Sequence, residues 1–369
     1  MIDRYTTDDM RALQSRQTQA TSYQRVLAAV ANAQGHTEAA LAVLKMDIAP
    51  EDWAAYEAET NHETAAFVDL VRDQLDPEHR SKVYVGLTSS NLQDTAEATL
   101  WNDVISKTIQ WKIAATGAIW ELCAAQGNHR MARTHGRDTE LSVNASALYQ
   151  RAARDLGECL LVIKGLPLRA SLGGPVGGYS RFLTQEQAQH AADDLDVELD
   201  AHATQTSDRH RLASLVNALV QVVGILEQVA TYQRLSAISG VDYYVENHVD
   251  PAQKGSSSMP HKRNPITSER ICGLARVARG YQSALMETCY TQWWERDLTN
   301  SSVERVAWRD LVALTDYVLD LAMETDVGER SWSTDLDTEL DPEGSTFYRY
   351  NQAIVDGLNP NSVYLNLKG

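Results

Sequence analysis

The feature that most constrains this chain is a set of four unusually long stretches with helical periodicity. Between Arg211 and Ile238, apolar side chains recur every three or four residues over about seven turns. The other three stretches cover residues 90–125, 265–288 and 301–325. A helix of this length needs neighbouring helices to cover its apolar face. The sequence therefore predicts an all-α fold, a long helical bundle in which other subunits supply some of the neighbouring helices.

Shorter helical segments precede the long ones. The first is predicted from Thr7 to Ala33, with Thr and Asp residues near its start and Gly35 just past its end. Three regions follow from this pattern: an N-terminal helical domain (1–86), a central long-helix domain (87–326) and a short C-terminal segment (327–369). Two glycine-rich loops interrupt the helices, at residues 171–179 and 251–265. The first loop is interpreted as a simple connection, and the second as a candidate site.

The charge balance narrows the classes of partner. The 369 residues include 33 Lys and Arg against 50 Asp and Glu, a formal net charge of −17. Such an acidic chain attracts phosphate backbones and anionic lipid surfaces poorly, which argues against nucleic-acid and membrane partners. No run of about 18 consecutive apolar residues occurs, and the first residues lack the pattern of a signal peptide. A cytoplasmic location is therefore expected.

The cysteines and histidines predict no metal site. Cys123, Cys159, Cys272 and Cys289 are scattered through helical sequence, without a CxxC pair and without histidines at metal-ligand spacing. Free thiols are typical of a reducing compartment. Because the metal-ligand spacing is missing, we expect no metal, and we expect no cofactor either.

The second glycine-rich loop concentrates positive charge within this acidic chain. Lys254, Lys262, Arg263 and Arg270 outnumber the single Glu269 of that region. Residues 255–258 are a glycine followed by three serines, which gives the loop flexible backbone and several hydroxyl groups. Cations and hydroxyls together favour the binding of a small anion, and a loop of this kind could close over its ligand.

The order of residues in this loop makes the prediction specific. The sequence GSSSMPHKRNP at 255–265 resembles the signature of the fumarase/aspartase superfamily. Residues 88–96 and 133–136 resemble two other regions that the superfamily shares, and the likeness extends from residue 1 to about 325. The resemblance implies the superfamily's long-helix fold, an elimination that releases fumarate or a related product, and a homotetramer. In such a tetramer three subunits contribute to each active site.

Three further segments resemble the adenylosuccinate lyase branch of that superfamily. These are Arg4-Tyr5, the pair His62-Glu63 and the ERDLTNSSVER sequence at 295–305. They imply a succinyl-purine nucleotide as the small-molecule substrate. The resemblance assigns its phosphate to the following residues: Arg4, Tyr5, Arg296, Ser301 and Arg305, with Arg270 nearby. Arginine suits phosphate because its planar fork donates two parallel hydrogen bonds.

The resemblance also assigns the chemistry. Ser256 is implied as the base that removes a proton beside a carboxylate, and Lys262 and Asn264 as the groups that stabilise the resulting dianion. His135 is implied as the acid that protonates the leaving amine, assisted by His62. Substrate contacts are implied for the following residues: Glu63, Thr88, Ser89, Thr134, Gln205, Ser257 and Met259.

Several alternatives remain open at this point. Tyr84 and Trp294 replace residues that are often histidine in relatives, and the segment from Gln205 to His210 is about two residues shorter than theirs. A 2-amino or deoxyribose variant of the purine is therefore a second candidate substrate. Another superfamily lyase or a carboxymuconate-type cycloisomerase is a further alternative, since the latter carries a similar loop. A helical scaffold protein without activity is the non-enzymatic alternative.

Overall fold

The structure is a computed structural model that describes residues 3–125, 130–142, 147–241 and 264–327. All but the last two residues of the signature loop, and the C-terminal segment 328–369, lie outside these ranges. The described helices are, in chain order, α1 (Asp8–Leu13), α2 (Arg16–Ala33), α3 (Thr37–Leu44), α4 (Pro50–Thr60), α5 (Glu63–Gln74), α6 (Pro77–Arg80), α7 (Ser89–Val104), α8 (Gln110–Ala125), α9 (Ala147–Lys164), α10 (Gln185–Asp194), α11 (Arg209–Ser236), α12 (Ile266–Tyr290), α13 (Thr299–Val303) and α14 (Arg309–Val327). Short 3₁₀ turns cover Asp3–Tyr5 and Gly174–Val176.

The four long helices confirm the prediction of a helical fold. α11 and α12 begin and end within two residues of their predicted bounds. The stretch predicted from residue 90 to 125 is α7 and α8, joined by a π-helical turn at Ile105–Ile109. A second π-helical turn, Glu304–Trp308, joins α13 to α14. Both π-helical turns continue the helix. Each of these two predicted long helices is therefore present, with one turn that is π-helical instead of α-helical.

The first predicted helix is wrong in one respect, because it is two helices. α1 ends at Leu13, and α2 begins at Arg16. The Ser15 hydroxyl oxygen accepts a hydrogen bond from the Thr18 backbone amide at 3.2 Å. Serine is a favoured N-cap residue, and here its extended backbone starts a new helix inside a continuous apolar pattern.

Four short strands accompany the helices in the described part of the chain. β1 (Arg130–Thr134) and β2 (Arg137–Ser142) form an antiparallel hairpin, and β3 (Arg169–Ala170) pairs in parallel with β4 (Glu198–Leu199). The hairpin places residues 133–136 at a tight turn, where helical periodicity gave no prediction. It is stabilised across its strands by an ion pair between Arg133 and Asp138 at 2.7 Å.

The chain divides into two compact units, each built from separate segments. The first unit comprises Met1–Ile113, Glu158–Val223 and Leu274–Val318, and the second comprises Ala114–Gly157, Gly224–Gly273 and Leu319–Gly369. Several long helices contribute residues to both units. The domain boundaries expected near residues 86 and 326 stay a prediction.

The core of the first unit is formed around α2. This helix packs on α3, α7 and α10, and its inward residues are almost all apolar. Three aromatic rings interlock there: the centroid of Phe67 lies 5.2 Å from that of Tyr23 and 4.8 Å from that of Trp53. Edge-to-face contacts of this kind stabilise a core beyond the burial of area alone.

α11 is the one helix in the described ranges that is long and apolar enough to cross a membrane. Its most apolar 18-residue window has a mean hydropathy of 1.6, and 61% of that window is buried inside the protein. Burial on this scale is what neighbouring helices provide for the central helix of a bundle.

The glycine loop at 171–179 has a more specific structural role than a simple connection. Gly177 has φ of +74°, and a Cβ added there would lie 1.9 Å from the Ala203 carbonyl oxygen. Only glycine permits both the left-handed backbone and this close approach. The loop thereby packs against the segment that carries Gln205.

Candidate active site

The first unit contains a cavity of about 100 Å³ that is rich in charge. We call it the arginine cavity, since six arginines line it together with five carboxylates. The arginines are Arg169, Arg209, Arg211, Arg296, Arg305 and Arg309, and the carboxylates are Asp94, Glu97, Asp200, Asp208 and Glu304. Its remaining lining includes Gln19, Tyr23, Asn300 and Ser301. Three of the residues assigned to phosphate, Arg296, Ser301 and Arg305, therefore lie together.

Arg209 is the most buried of these arginines, with a side chain 8% exposed. Its two terminal nitrogens donate to the Asp94 carboxylate at 2.9 and 3.0 Å, and its Nε donates to Glu304 at 2.8 Å. Burial disfavours the charge of the guanidinium, but Asp94 and Glu304 outweigh that cost and raise the pKa of Arg209. Arg209 is thus a fixed structural cation that joins α7, α11 and the π-helical turn.

Two other cavity arginines are also paired with carboxylates. Arg309 pairs with Glu97, and Arg305 pairs with Glu63 at the start of α5. The Arg305 Nε also donates to the Ser301 hydroxyl at 3.3 Å, and Glu63 accepts a hydrogen bond from Gln19 at 2.8 Å. The predicted residues Glu63, Ser301 and Arg305 therefore form one hydrogen-bonded group.

Arg296 differs from the other cavity arginines because no carboxylate in the described ranges pairs with it. Its Nη1 donates to two neutral oxygens, the Asp297 carbonyl at 2.6 Å and the Asn300 side-chain oxygen at 3.0 Å. Burial lowers the pKa of the Arg296 guanidinium, with Asp94 opposing and Arg209 adding to that shift. A half-buried cation that forms no ion pair with a described carboxylate is a binding position for an anion.

The π-helical turn at Glu304–Trp308 positions part of this cavity. Glu304, Arg305 and Trp308 lie within the turn and all line the cavity, as do Asn300 before it and Arg309 after it. A π-helical turn widens the helix and shifts the phase of the side chains that follow. Such turns are often found at functional sites.

A second group of polar residues surrounds the N-terminus of α7. The Ser90 hydroxyl donates to the Gln205 side-chain oxygen at 3.3 Å, and the Asn91 amide donates to the Gln205 carbonyl at 3.1 Å. The Gln205 backbone amide donates in turn to the Glu295 carbonyl at 3.2 Å, one residue before Arg296. The predicted residues Thr88, Ser89 and Gln205 are therefore brought together, next to the segment that supplies the arginine cavity.

Thr88 and Ser89 have different roles in this arrangement. The Thr88 hydroxyl caps α7, since it accepts from the Asn91 backbone amide at 3.3 Å and donates to the Asn91 side-chain oxygen at 2.9 Å. Ser89 is half-buried in the first turn of α7, and its hydroxyl makes no hydrogen bond with the described residues. Ser89 thus offers a donor at the end of a helix where backbone amides also favour an anion.

His62 caps the N-terminus of α5. Its Nδ1 accepts a hydrogen bond from the Ala65 backbone amide at 3.2 Å, which starts α5 beside Glu63. In the neutral ring the proton is then on Nε2, which leaves an N–H donor on an exposed side chain. The structural role and the predicted substrate role of His62 are compatible.

His135 and Thr134 lie in the second unit, at the tip of the β1–β2 hairpin. Both are exposed, and His135 has φ of 52°, followed by Gly136 at 75°. Left-handed backbone at two successive residues makes the tight turn that presents the imidazole. Asn264 and Arg270 also belong to this unit, just before and within α12.

The remaining predicted residues do not line the arginine cavity or lie outside the described ranges. Arg4 is exposed, and the Tyr5 ring contacts the Tyr317 ring at 5.8 Å between centroids. Ser256, Ser257, Met259 and Lys262 lie outside the residues that the structure describes, so their assigned roles stay predictions.

Sequence reasoning missed the buried ion pair between Asp94 and Arg209 that organises this site. Asp94 lies inside the quoted segment 88–96, and Arg209 lies in the segment noted for its departure from relatives, yet neither was assigned a role. The only signal was the presence of ionisable residues in otherwise apolar helices, which are rarely buried unless paired. No group of metal-ligating side chains occurs in the described ranges.

Comparisons with known proteins identify the family of this chain. A family model described as "Lyase" matches residues 125–280. The chain is 35% identical over 277 residues to an adenylosuccinate lyase of Aquifex aeolicus, covering 71% of this chain and 60% of that protein. It is 31% identical to an adenylosuccinate lyase of Synechocystis, covering 86% and 75% respectively. A third, from Methanothermobacter thermautotrophicus, is 29% identical over 87% of this chain and 74% of the relative.

Solved structures show the same fold at lower sequence identity. A 3-carboxy-cis,cis-muconate lactonizing enzyme from Pseudomonas putida superposes with a TM-score of 0.82 at 20% identity, over 99% of this chain and 84% of the other. A fumarate lyase from Mesorhizobium gives 0.75 at 16% identity, over 99% and 90%.

The Synechocystis relative, at 31% identity over three quarters of its length, and the matched lyase model show that the chain is a member of the fumarase/aspartase superfamily. Within that superfamily, the curated relatives that match most of the sequence are adenylosuccinate lyases, whereas the cycloisomerase-like structure agrees in fold alone. The chain belongs to the adenylosuccinate lyase family.

Proposed function

We propose that this protein eliminates fumarate from N6-succinyl-AMP and releases AMP. The observation that carries the proposal is Arg296, a half-buried cation that pairs with no carboxylate among the described residues, in a cavity shared with Ser301 and Arg305. The chain spans 60% of the length of the Aquifex adenylosuccinate lyase and about three quarters of two others. The activity for which these relatives are named supports the same reaction here.

The arginine cavity is proposed to hold the nucleotide phosphate. Arg296 would supply its planar fork, and the Ser301 hydroxyl would add a donor. Arg305 already donates toward Glu63 and Ser301, so it holds Ser301 in place and adds positive charge at the cavity wall. Asp94 and Glu304 are held by Arg209, and Glu97 by Arg309, so none of these carboxylates forms an ion pair with Arg296.

The N-terminus of α7 is proposed to hold a succinyl carboxylate. The Ser89 hydroxyl, which no described residue engages, and the first backbone amides of α7 support an anion there. Gln205 is fixed by Ser90 and Asn91, and its side-chain nitrogen donates to the Pro175 carbonyl at 3.1 Å. Gln205 therefore acts mainly by positioning this corner, while Thr88 maintains the helix start.

The reaction is proposed to follow the chemistry of the family. The Ser256 oxygen takes the proton from the carbon next to a carboxylate, and Lys262 and Asn264 stabilise the dianion that forms. The C–N bond then breaks, and His135, assisted by His62, gives a proton to the departing purine nitrogen. No cofactor or metal is required for these steps.

A homotetramer in the cytoplasm is the proposed state of the enzyme. His135 is exposed at a hairpin tip, although a general acid must work where water is excluded. A second subunit that covers the tip would meet this need, as the shared active sites of the superfamily imply. The four cysteines are buried and form no disulfide, which fits a reducing compartment.

The activity is expected to appear as a change in ultraviolet absorbance when the protein is mixed with adenylosuccinate, with fumarate and AMP formed in equal amounts. A folded tetramer that leaves the spectrum unchanged would contradict the proposal and favour a scaffold or another substrate.

Measuring kcat/KM for the 2-amino-deoxy analogue in parallel tests the alternative purine. A strong preference for that analogue would replace adenylosuccinate as the proposed substrate.

Replacing Arg296 with alanine is expected to raise KM for adenylosuccinate by about tenfold to a hundredfold. A hydrogen bond to a charged group contributes about 1.5–3 kcal/mol, which corresponds to that range. Arg296→Lys keeps the charge but loses the planar fork, so an intermediate KM is expected. Steady-state kinetics measure both effects.

The matched control for this prediction is Arg181→Ala. The Arg181 guanidinium lies 4.7 Å from the Phe182 ring centroid and does not line the arginine cavity. Its removal is expected to leave KM unchanged. An Arg296→Ala variant with a KM equal to that of the control would remove Arg296 from the phosphate site.

A further inference from the structure

Trp294 has an unusual combination of backbone and exposure. It lies between α12 and α13 with φ of 57°, a left-handed conformation that costs free energy for any residue other than glycine. Its side chain is 87% exposed. An indole this exposed gains little from packing, so burial of the side chain does not offset the strained backbone here. Strain of this kind is characteristic of binding sites.

The backbone around Trp294 is fixed by both polar groups of the site. The carbonyl of the next residue, Glu295, accepts a hydrogen bond from the Gln205 backbone amide at 3.2 Å. Arg296 follows immediately and donates to the Asp297 carbonyl and the Asn300 side chain. Trp294 is therefore held between the N-terminal group of α7 and the arginine cavity.

We propose that Trp294 is the surface on which the purine of the nucleotide stacks, an inference that rests on the proposed function. Two residues span at most about 7 Å of chain, so the backbone of Trp294 lies within that distance of the backbone of Arg296. A nucleotide separates its base from its phosphate by one ribose, which is a comparable distance. A phosphate on Arg296 thus leaves the base within reach of the indole face, and aromatic rings stack on any purine.

Neighbouring exposed side chains provide the contrast. Tyr290, Trp293 and Leu298 are also exposed, at 65%, 65% and 68%, but none has a positive φ. A contact between two copies of the chain could use all four side chains and would have no need for strain at one of them. Strain at Trp294 alone, next to Arg296, favours a role for this residue in ligand binding.

The test compares AMP with ribose 5-phosphate, which carries the same phosphate and sugar without the base. Wild type is expected to bind AMP more tightly than ribose 5-phosphate by calorimetry. Trp294→Ala is expected to weaken AMP binding by about tenfold or more and to leave ribose 5-phosphate binding unchanged, since stacking on an aromatic side chain contributes about 1–3 kcal/mol per base. Trp294→Phe should recover most of the AMP affinity. Trp293→Ala is the matched control and should keep the wild-type ratio.

Trp294→Gly separates binding from folding. Glycine relieves the left-handed strain, so its melting temperature should equal or exceed that of wild type while AMP binding stays weak. Equal loss of both ligands in Trp294→Ala, a fall in oligomer mass, or equal binding of both ligands by wild type would each overturn the inference. So would the absence of AMP binding by wild type. Tight AMP binding without fumarate release would instead reject the proposed reaction and leave the stacking role standing.

Discussion

Replacing His135 with alanine is expected to lower kcat for fumarate release by about a hundredfold or more, because a positioned general acid contributes about 10² to 10⁴ in rate. Ser256→Ala removes the proposed base and is expected to have an effect at least as large. AMP should still bind to both variants, since the proposed phosphate residues Arg296, Ser301 and Arg305 are unchanged in both. Single-turnover measurement of fumarate isolates the chemical step from product release.

His190→Ala is the control for this prediction. His190 lies in α10, is exposed and contacts Asp194 at 3.8 Å, away from the polar groups of the site. Its removal should leave the rate unchanged. A near wild-type rate in His135→Ala or in Ser256→Ala would remove that residue from the mechanism.

Mixing the two inactive variants tests the shared site. If His135 and Ser256 of one active site come from different subunits, mixed tetramers contain some sites with both residues intact. Activity should therefore appear after subunit exchange between Ser256→Ala and His135→Ala. Mixed tetramers that form but stay inactive would contradict the proposed sharing.

Replacing Arg209 with alanine is expected to lower the free energy of unfolding by about 3–5 kcal/mol, the usual cost of removing one partner from a buried ion pair. The change leaves Asp94 and Glu304 in the interior without their cation. Burial already raises the pKa of the Glu304 carboxyl, with Arg209 opposing that shift. Urea denaturation at fixed protein concentration measures the loss.

Arg11→Ala is the matched control for stability. Arg11 also pairs with a carboxylate, Asp8, but the side chains are 41% and 95% exposed. Exposed pairs contribute about 0–1 kcal/mol, so a change in that range is expected. If Arg209→Ala lowers the free energy of unfolding no more than Arg11→Ala does, the ion pairs of Arg209 with Asp94 and Glu304 would not be the structural centre of the cavity.

The long helices could be predicted from the sequence because their signal is local. Apolar residues three and four positions apart specify one face of a helix whatever the rest of the chain does. The observed bounds of α11 and α12 follow from that pattern alone. The split at Ser15 was missed, since a single capping hydroxyl interrupts the helix there without interrupting the apolar pattern.

The candidate site residues also divide into those that the sequence could identify and those that it could not. Arg296, Ser301 and Arg305 could be identified because the order of residues at 295–305 resembles a motif of the adenylosuccinate lyase branch, and such a motif is contained in one short segment. The Arg209 ion pairs could not be, since Asp94 and Arg209 are 115 positions apart. Nothing in either local sequence distinguishes a buried ion pair from two surface charges.

The sequence by itself determined a helical lyase of this superfamily, through the period of its apolar residues and the order of a few motifs. Only the tertiary structure decided which charges neutralise one another and which cation remains for a ligand. Charge pairing depends on distance and burial, and folding alone sets both. Arg209 and Arg296 are both arginines in otherwise acidic sequence, yet the fold makes the first a structural cation and leaves the second without a carboxylate partner among the described residues.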